Sequence, residues 1–156
     1  MIIATFFYLL SLGCWIGGIV FFSFFTAPII FSRLSVAEAG KVVSAIFPLY
    51  YILGYATGAV ALALTVYFAK IGANRPLWIV TAMLLAVSLG TSVYAGVVVR
   101  PKTAAIRSVV EELNPDPLRK AEFDALHRLS VRLNGAVLLV NLIALASSAA
   151  ALTRNV

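Results

Sequence analysis

Four long stretches of this chain carry no charged side chain, and they decide what it can fold into. No Asp, Glu, Lys or Arg precedes Arg33, and the runs Val42 to Ala69, Pro76 to Val99 and Leu133 to Thr153 are equally free of them. Each supplies the roughly 20 apolar residues that cross a bilayer core. In lipid the backbone has to satisfy its own hydrogen bonds, which makes each run a helix. Charged residues make up only 12% of the chain, where a soluble domain has about a quarter, so water cannot be the solvent for most of its surface. The expected fold is therefore all-α: an integral membrane four-helix bundle in a single domain, 1–156. Its spans fall near 3–31, 48–69, 77–99 and 131–153. The first run is not a signal peptide, because it lacks a basic leader and its roughly 30 residues exceed an apolar signal core. Pro28 is expected to kink it or mark its exit.

The connections are unequal. Residues 32–47 form a short polar stretch with a helical look, after which Pro48 is expected to start the second span. Gly72 and Asn74 in KIGANRP suit a tight turn between the second and third spans. In 100–130, Ile106, Val109, Val110 and Leu113 share one helix face, predicting a short amphipathic helix on the membrane surface or against the bundle base. Arg107 and Glu111 are spaced to pair along it. LNPDP ends that helix, and Asp116 before Pro117 is a good N-cap for a fourth helix that begins well outside the membrane. The connections 32–47 and 100–130, with Arg132 just beyond the latter, carry nine of the twelve Lys and Arg; Lys70, Arg75 and Arg154 are the other three. The excess of basic residues on one side predicts that those connections are cytoplasmic and both termini lie outside, in the cell membrane, or the inner membrane of a bacterium.

Candidate functional residues are few. His127, Asn134, Asn141 and Ser148 lie seven apart and so share a face of the fourth helix. Interhelical hydrogen bonding is the simpler use for the buried amides; a polar path or ligand site along the bundle axis is the sharper one. His127 is the only histidine, so haem ligation would need a second subunit. Arg100 with His127, Arg128 and Arg132 makes a basic cluster suited to anionic lipid headgroups. Trp15 falls mid-span in GCWIGG, where Gly13 and Gly17 form a small-xxx-small pair that predicts a close helix crossing; Gly54 with Gly58, and Ser92 with Gly96, repeat it. Phe47, Tyr50, Tyr51 and Tyr55 read as an aromatic belt. With one cysteine, Cys14, no internal disulfide forms. No basic stripe with interleaved aromatics suggests nucleic acid, despite a net charge of +6. No catalytic serine motif, phosphate loop or paired carboxylates is present, and no Asp, Glu or Lys sits inside a span to relay protons.

Taken together, CWIGGIVFFSFFTAPIIFSRL, IFPLYY, LNPDP and FDALHRLSVRLN resemble the transmembrane-protein-205-like family, a four-helix membrane domain of unknown function. On that resemblance Trp15, Gly17, Gly18, Pro28, Pro48, Tyr51, His127 and Asn134 match the family pattern, which implies no catalytic role for them. The arrangement is similar, more distantly, to the copper-resistance CopD family and to HemJ-type protoporphyrinogen oxidases. The early-helix histidine that HemJ-like proteins carry has no counterpart here, and Met83 stands alone as an internal methionine where copper handling would need several soft ligands. The leading expectation is a non-enzymatic bundle, with no cofactor, that associates with itself or partner membrane proteins or aids export or stress tolerance. A transporter or channel component using the fourth-helix stripe, and a haem- or quinone-linked oxidoreductase, are the alternatives.

Overall fold

The structure, a computed structural model, describes residues 1–110 and 116–153, with the backbone alone at 108–110. The first helix runs Ile2–Phe21, widens into a π turn at Phe22–Thr26 and continues through Ala27–Arg33. The second is Val36–Ile71. The third is Arg75–Tyr94, with a π turn at Ala95–Val99 and an extension over Arg100–Val110. The fourth is Pro117–Thr153. All four are long and apolar enough to cross a membrane. They alternate in direction. The third packs between the second and the fourth, while the first lies mainly on the second and touches the fourth less. The turn between Lys70 and Arg75 shares an end with Met1 and Thr153; Arg33, Arg107 and the start of the fourth helix form the other, basic end.

Small and polar residues build the inner faces. Gly54, Gly58, Ala61, Thr65 and Phe68 on the second helix are buried, as are Thr81, Leu85, Ser88 and Ser92 on the third and Val137, Asn141, Ala144, Ser148 and Ala151 on the fourth. Steps of three and four residues make this a heptad seam of shallow crossings. Phe6, Phe21, Phe24, Leu49, Ile52, Val87 and Leu139 point outward instead. That is the inverse of a soluble protein: lipid tails are as apolar as leucine, so close packing rather than water exclusion brings the helices together. At the terminal end three rings fill the space, with Phe68 and Trp78 centroids 4.8 Å apart and Tyr8 set edge-on to both.

Several boundaries differ from the sequence expectation, each for a local reason. The second helix starts at Val36 rather than at residue 48, because Ser35 caps it. The Ser35 hydroxyl accepts from the Glu38 amide while the Glu38 carboxylate accepts from the Ser35 amide at 3.1 Å. The connection 32–47 therefore shrinks to Leu34 and Ser35, and Pro48 sits inside a helix instead of beginning one. Pro28 does not end the first helix, which continues to Arg33. Its ring would meet the carbonyl of Phe24 in a regular α-helix. The wider turn relieves this, with the Ala27 amide bonding five residues back to Phe22. The third helix repeats the device one residue before Pro101, where the Arg100 amide bonds to Ala95. The amphipathic segment consequently extends the third helix directly and packs on the base of the fourth, with Ile106 buried. Asp116 caps the fourth helix as expected, its carboxylate 3.1 Å from the Leu118 amide. Glu111, Leu113, the rest of the break at 113–115 and Arg154 lie outside the described residues, as do the side chains of Val109 and Val110.

Candidate functional site

The polar groups of the interior gather in two layers beside Trp15. In the layer nearer the basic end, Tyr50 donates to the Asn134 side-chain carbonyl, and the Asn134 amide nitrogen donates to the Ser23 hydroxyl at 2.9 Å. Three helices are thereby tied at one point, and both ends of the Asn134 amide are used. Ser23 reaches the layer from inside the first helix's π turn. The second layer lies two turns along the fourth helix. Asn141 is fully buried and accepts from Ser88 at 2.7 Å, while its Nδ2 has no partner among the described residues. Further toward the termini, Thr81 donates to Ser147 at 2.9 Å and Asn74 to the Ala151 carbonyl at 3.1 Å.

Trp15 stands between the layers, only 3% exposed. The glycines that admit it are Gly54 and Gly58 of the second helix. A Cβ on Gly58 would lie 2.7 Å from the indole ring, and one on Gly54 3.2 Å from Nε1. Gly13 and Gly17, expected to form the close crossing, face open space and are exposed, whereas Gly18 meets Leu53. Small-xxx-small spacing is necessary for a tight crossing but does not say which pair meets a partner. Gly96 similarly makes room for Tyr51 and Tyr55. A cavity of about 10 Å³ remains, lined among others by Trp15, Gly18, Tyr50, Ser92 and Asn134. Such a space holds one water at most.

Aromatic rings pack around this layer: Phe22 lies 5.1 Å from Tyr50, Tyr50 5.4 Å from Tyr51 and Tyr51 6.0 Å from Tyr55. Arg100 is half-buried and within electrostatic reach of Tyr51 and Tyr55. Arg107, also half-buried, donates to the Gly40 carbonyl and the Ser44 hydroxyl, fastening the third helix to the turn before Pro48. His127 does not join the buried stripe. It is exposed, stacked on Phe123 at 6.4 Å. Pro28 is exposed and Pro48 half-buried, and neither enters the polar layers. Among the described residues no three His, Cys, Asp or Glu side chains cluster as a metal site would require.

The structure thus brings together Trp15, Gly18, Asn134 and, one layer on, Asn141; Tyr51 and Arg100 lie within electrostatic reach of each other, and Gly17, Pro28 and His127 stand apart. Ser23, Ser88 and Tyr50 were not singled out from the sequence as site residues. A signal existed for Ser88, since Thr81 and Ser88 repeat the seven-residue spacing of Asn134, Asn141 and Ser148. Nothing comparable marked Ser23, whose direction depends on the π turn.

Neither curated proteins nor solved structures provide a match to the chain. Residues 10–112, which are 103 of the 156, match a domain of unknown function (DUF4149). The match takes in Trp15, Gly17, Gly18, Pro28, Pro48, Tyr51 and Arg100 and ends before the fourth helix, which holds His127, Asn134 and Asn141. With about two thirds of its length inside that match, the chain belongs to the DUF4149 family of uncharacterised domains.

Proposed function

We propose that the chain is a non-enzymatic multi-pass membrane protein that acts through its outer surface, associating with other membrane helices and first of all with a second copy of itself. The supporting observation is the free side of the first helix. Phe6, Leu10, Gly13, Gly17, Phe21 and Phe24 are all exposed and recur at three- and four-residue steps. They form a heptad seam centred on two glycines that no other helix among the described residues covers. The interior favours the same reading, since the Asn134 amide is used in tying helices together and the adjoining cavity admits one water at most. We take the basic end as cytoplasmic, set among anionic headgroups, and an aid to export or stress tolerance as the physiological role.

Cys14 provides the test, because it is exposed beside this seam. Cross-linking native membranes with a short bismaleimide should yield a Cys14–Cys14 dimer, and Gly13→Leu with Gly17→Leu should abolish it. A chain that forms neither the dimer nor an adduct with another membrane protein would overturn the reading.

A transporter component is the second reading, favoured by the unpartnered, buried Nδ2 of Asn141 in line with Asn134. Flux through reconstituted vesicles that Asn141→Leu abolishes would carry it; flux that this substitution leaves unchanged would remove the stripe from it. A haem-linked oxidoreductase would have to draw on exposed His127 from two subunits, and a Soret band lost in His127→Ala is its signature.

A further inference from the structure

A wide concavity lies outside the bundle, on the lipid-facing side of the second and third helices. It is an open groove of about 420 Å³, against about 10 Å³ for the interior cavity. Its lining is apolar from Leu62 and Ala86 at one end up to the turn at the other, where Lys70 and Arg75 stand at the rim. Ala82, flanked by Met83, is among the small side chains that keep it open.

Two independent features say what fills it. The first is length. Leu62 to Lys70 spans eight residues and Arg75 to Ala86 eleven, or about 12 and 16 Å of helix. Half of the roughly 30 Å hydrocarbon core is about 15 Å, so the groove has the depth of one leaflet. The second is charge. Both rim residues are exposed, and the acidic residues among those described, Glu38, Asp116, Glu122 and Asp124, stand at the starts of the second and fourth helices, at the basic end. Among the described residues no Asp or Glu side chain therefore competes for Lys70 and Arg75 at the terminal end. Two cations above a leaflet-deep apolar channel match a lipid with an anionic head and an acyl tail.

We infer that this groove is a binding site for an anionic glycerophospholipid of the leaflet at the terminal end, with one acyl chain lying between the second and third helices and the phosphate held by Lys70 and Arg75. The site is separate from the association seam on the first helix and does not rest on it. It is also separate from the basic end, where general attraction of anionic headgroups is expected.

The test uses the full chain in nanodiscs of phosphatidylcholine containing a photoactivatable phosphatidylglycerol with a diazirine on its acyl chain. Adducts are mapped by peptide mass spectrometry. Labelling should concentrate on residues 62–86, and a matched phosphatidylcholine probe should label them less. Lys70→Gln with Arg75→Gln should lower the preference for the anionic probe by up to about twenty-five-fold, taking roughly fivefold for each basic residue. Ala82→Leu, which fills the channel, should remove the adducts while labelling at the basic end persists. A melting temperature unchanged by Ala82→Leu excludes misfolding as the cause. Labelling spread evenly around the bundle, or equal labelling by the two probes, would overturn the inference. So would adducts on 62–86 that survive Ala82→Leu.

Discussion

Asn134 and Asn141 lie on one face of one helix, yet replacing each by leucine should move stability in opposite directions. Leucine keeps the branching of asparagine, so the two substitutions differ chiefly in the polar interactions removed. At Asn134 two hydrogen bonds disappear, from Tyr50 and to Ser23. Bonds between membrane helices average about 0.6 kcal/mol each. The Tyr50 hydroxyl is also left without its partner in a largely apolar layer, at about 1–3 kcal/mol. Asn134→Leu should therefore destabilise by about 2–4 kcal/mol. At Asn141 a single bond to Ser88 disappears, again about 0.6 kcal/mol, and Ser88 retains the Val137 carbonyl at 3.5 Å as an alternative acceptor. Against that loss, the buried Nδ2 that has no partner is removed, recovering about 1–3 kcal/mol. Asn141→Leu should be neutral or stabilising by up to about 2 kcal/mol. The assay is reversible unfolding in mixed dodecyl sulfate and mild detergent micelles, followed by circular dichroism. A difference of about 3 kcal/mol between the variants is more than a hundredfold in the unfolding constant. Equal destabilisation by both would refute the reasoning, because it would mean that the Asn141 amide is as fully engaged as that of Asn134.

Two further substitutions test the packing. Gly58→Leu, whose Cβ alone would lie 2.7 Å from the Trp15 ring, should destabilise by about 1–3 kcal/mol and shift tryptophan fluorescence, whereas Gly90→Leu, with open space around it, should stay within about 0.5 kcal/mol; similar unfolding midpoints would place Trp15 elsewhere. Arg107→Gln removes the charged donor to Gly40 and Ser44, so it should cost about 1.5–3 kcal/mol locally and speed amide exchange across residues 100–107, and unchanged protection there would show that the extension is held by Ile106 alone.

Whether a helix spans the membrane is a matter of transfer free energy, which is local and additive, so the four spans and the turn at Gly72 were legible in the chain itself. The inward face of the fourth helix was legible for the same reason: Asn141 and Ser148 in an apolar run have to find polar partners, and spacing alone says which side they share. Asp116 before Pro117 announced its cap through side-chain chemistry confined to a few residues. The Ser35–Glu38 capping box was equally local; it went unread because the polar stretch around it suggested a connection.

Other features depend on what lies opposite. Pro28, Pro48 and Pro101 look like helix breaks when only α-helical bonding is considered, yet the helices continue past each of them. At Pro28 and Pro101 a bond to the fifth residue back carries the backbone through the turn before the ring, and at Pro48 Arg107 braces the preceding turn from another helix. The spacing of Gly13 with Gly17 is the same as that of Gly54 with Gly58, but one pair faces outward and the other cradles Trp15. His127 fits the seven-residue stripe and still falls outside the polar layers, exposed and stacked on Phe123. Sequence by itself determined which segments enter lipid and which of their faces carry polar groups. Only the tertiary structure decided which glycines meet a neighbour and which amides find partners, because a contact is a property of two surfaces and a helix's own sequence describes one.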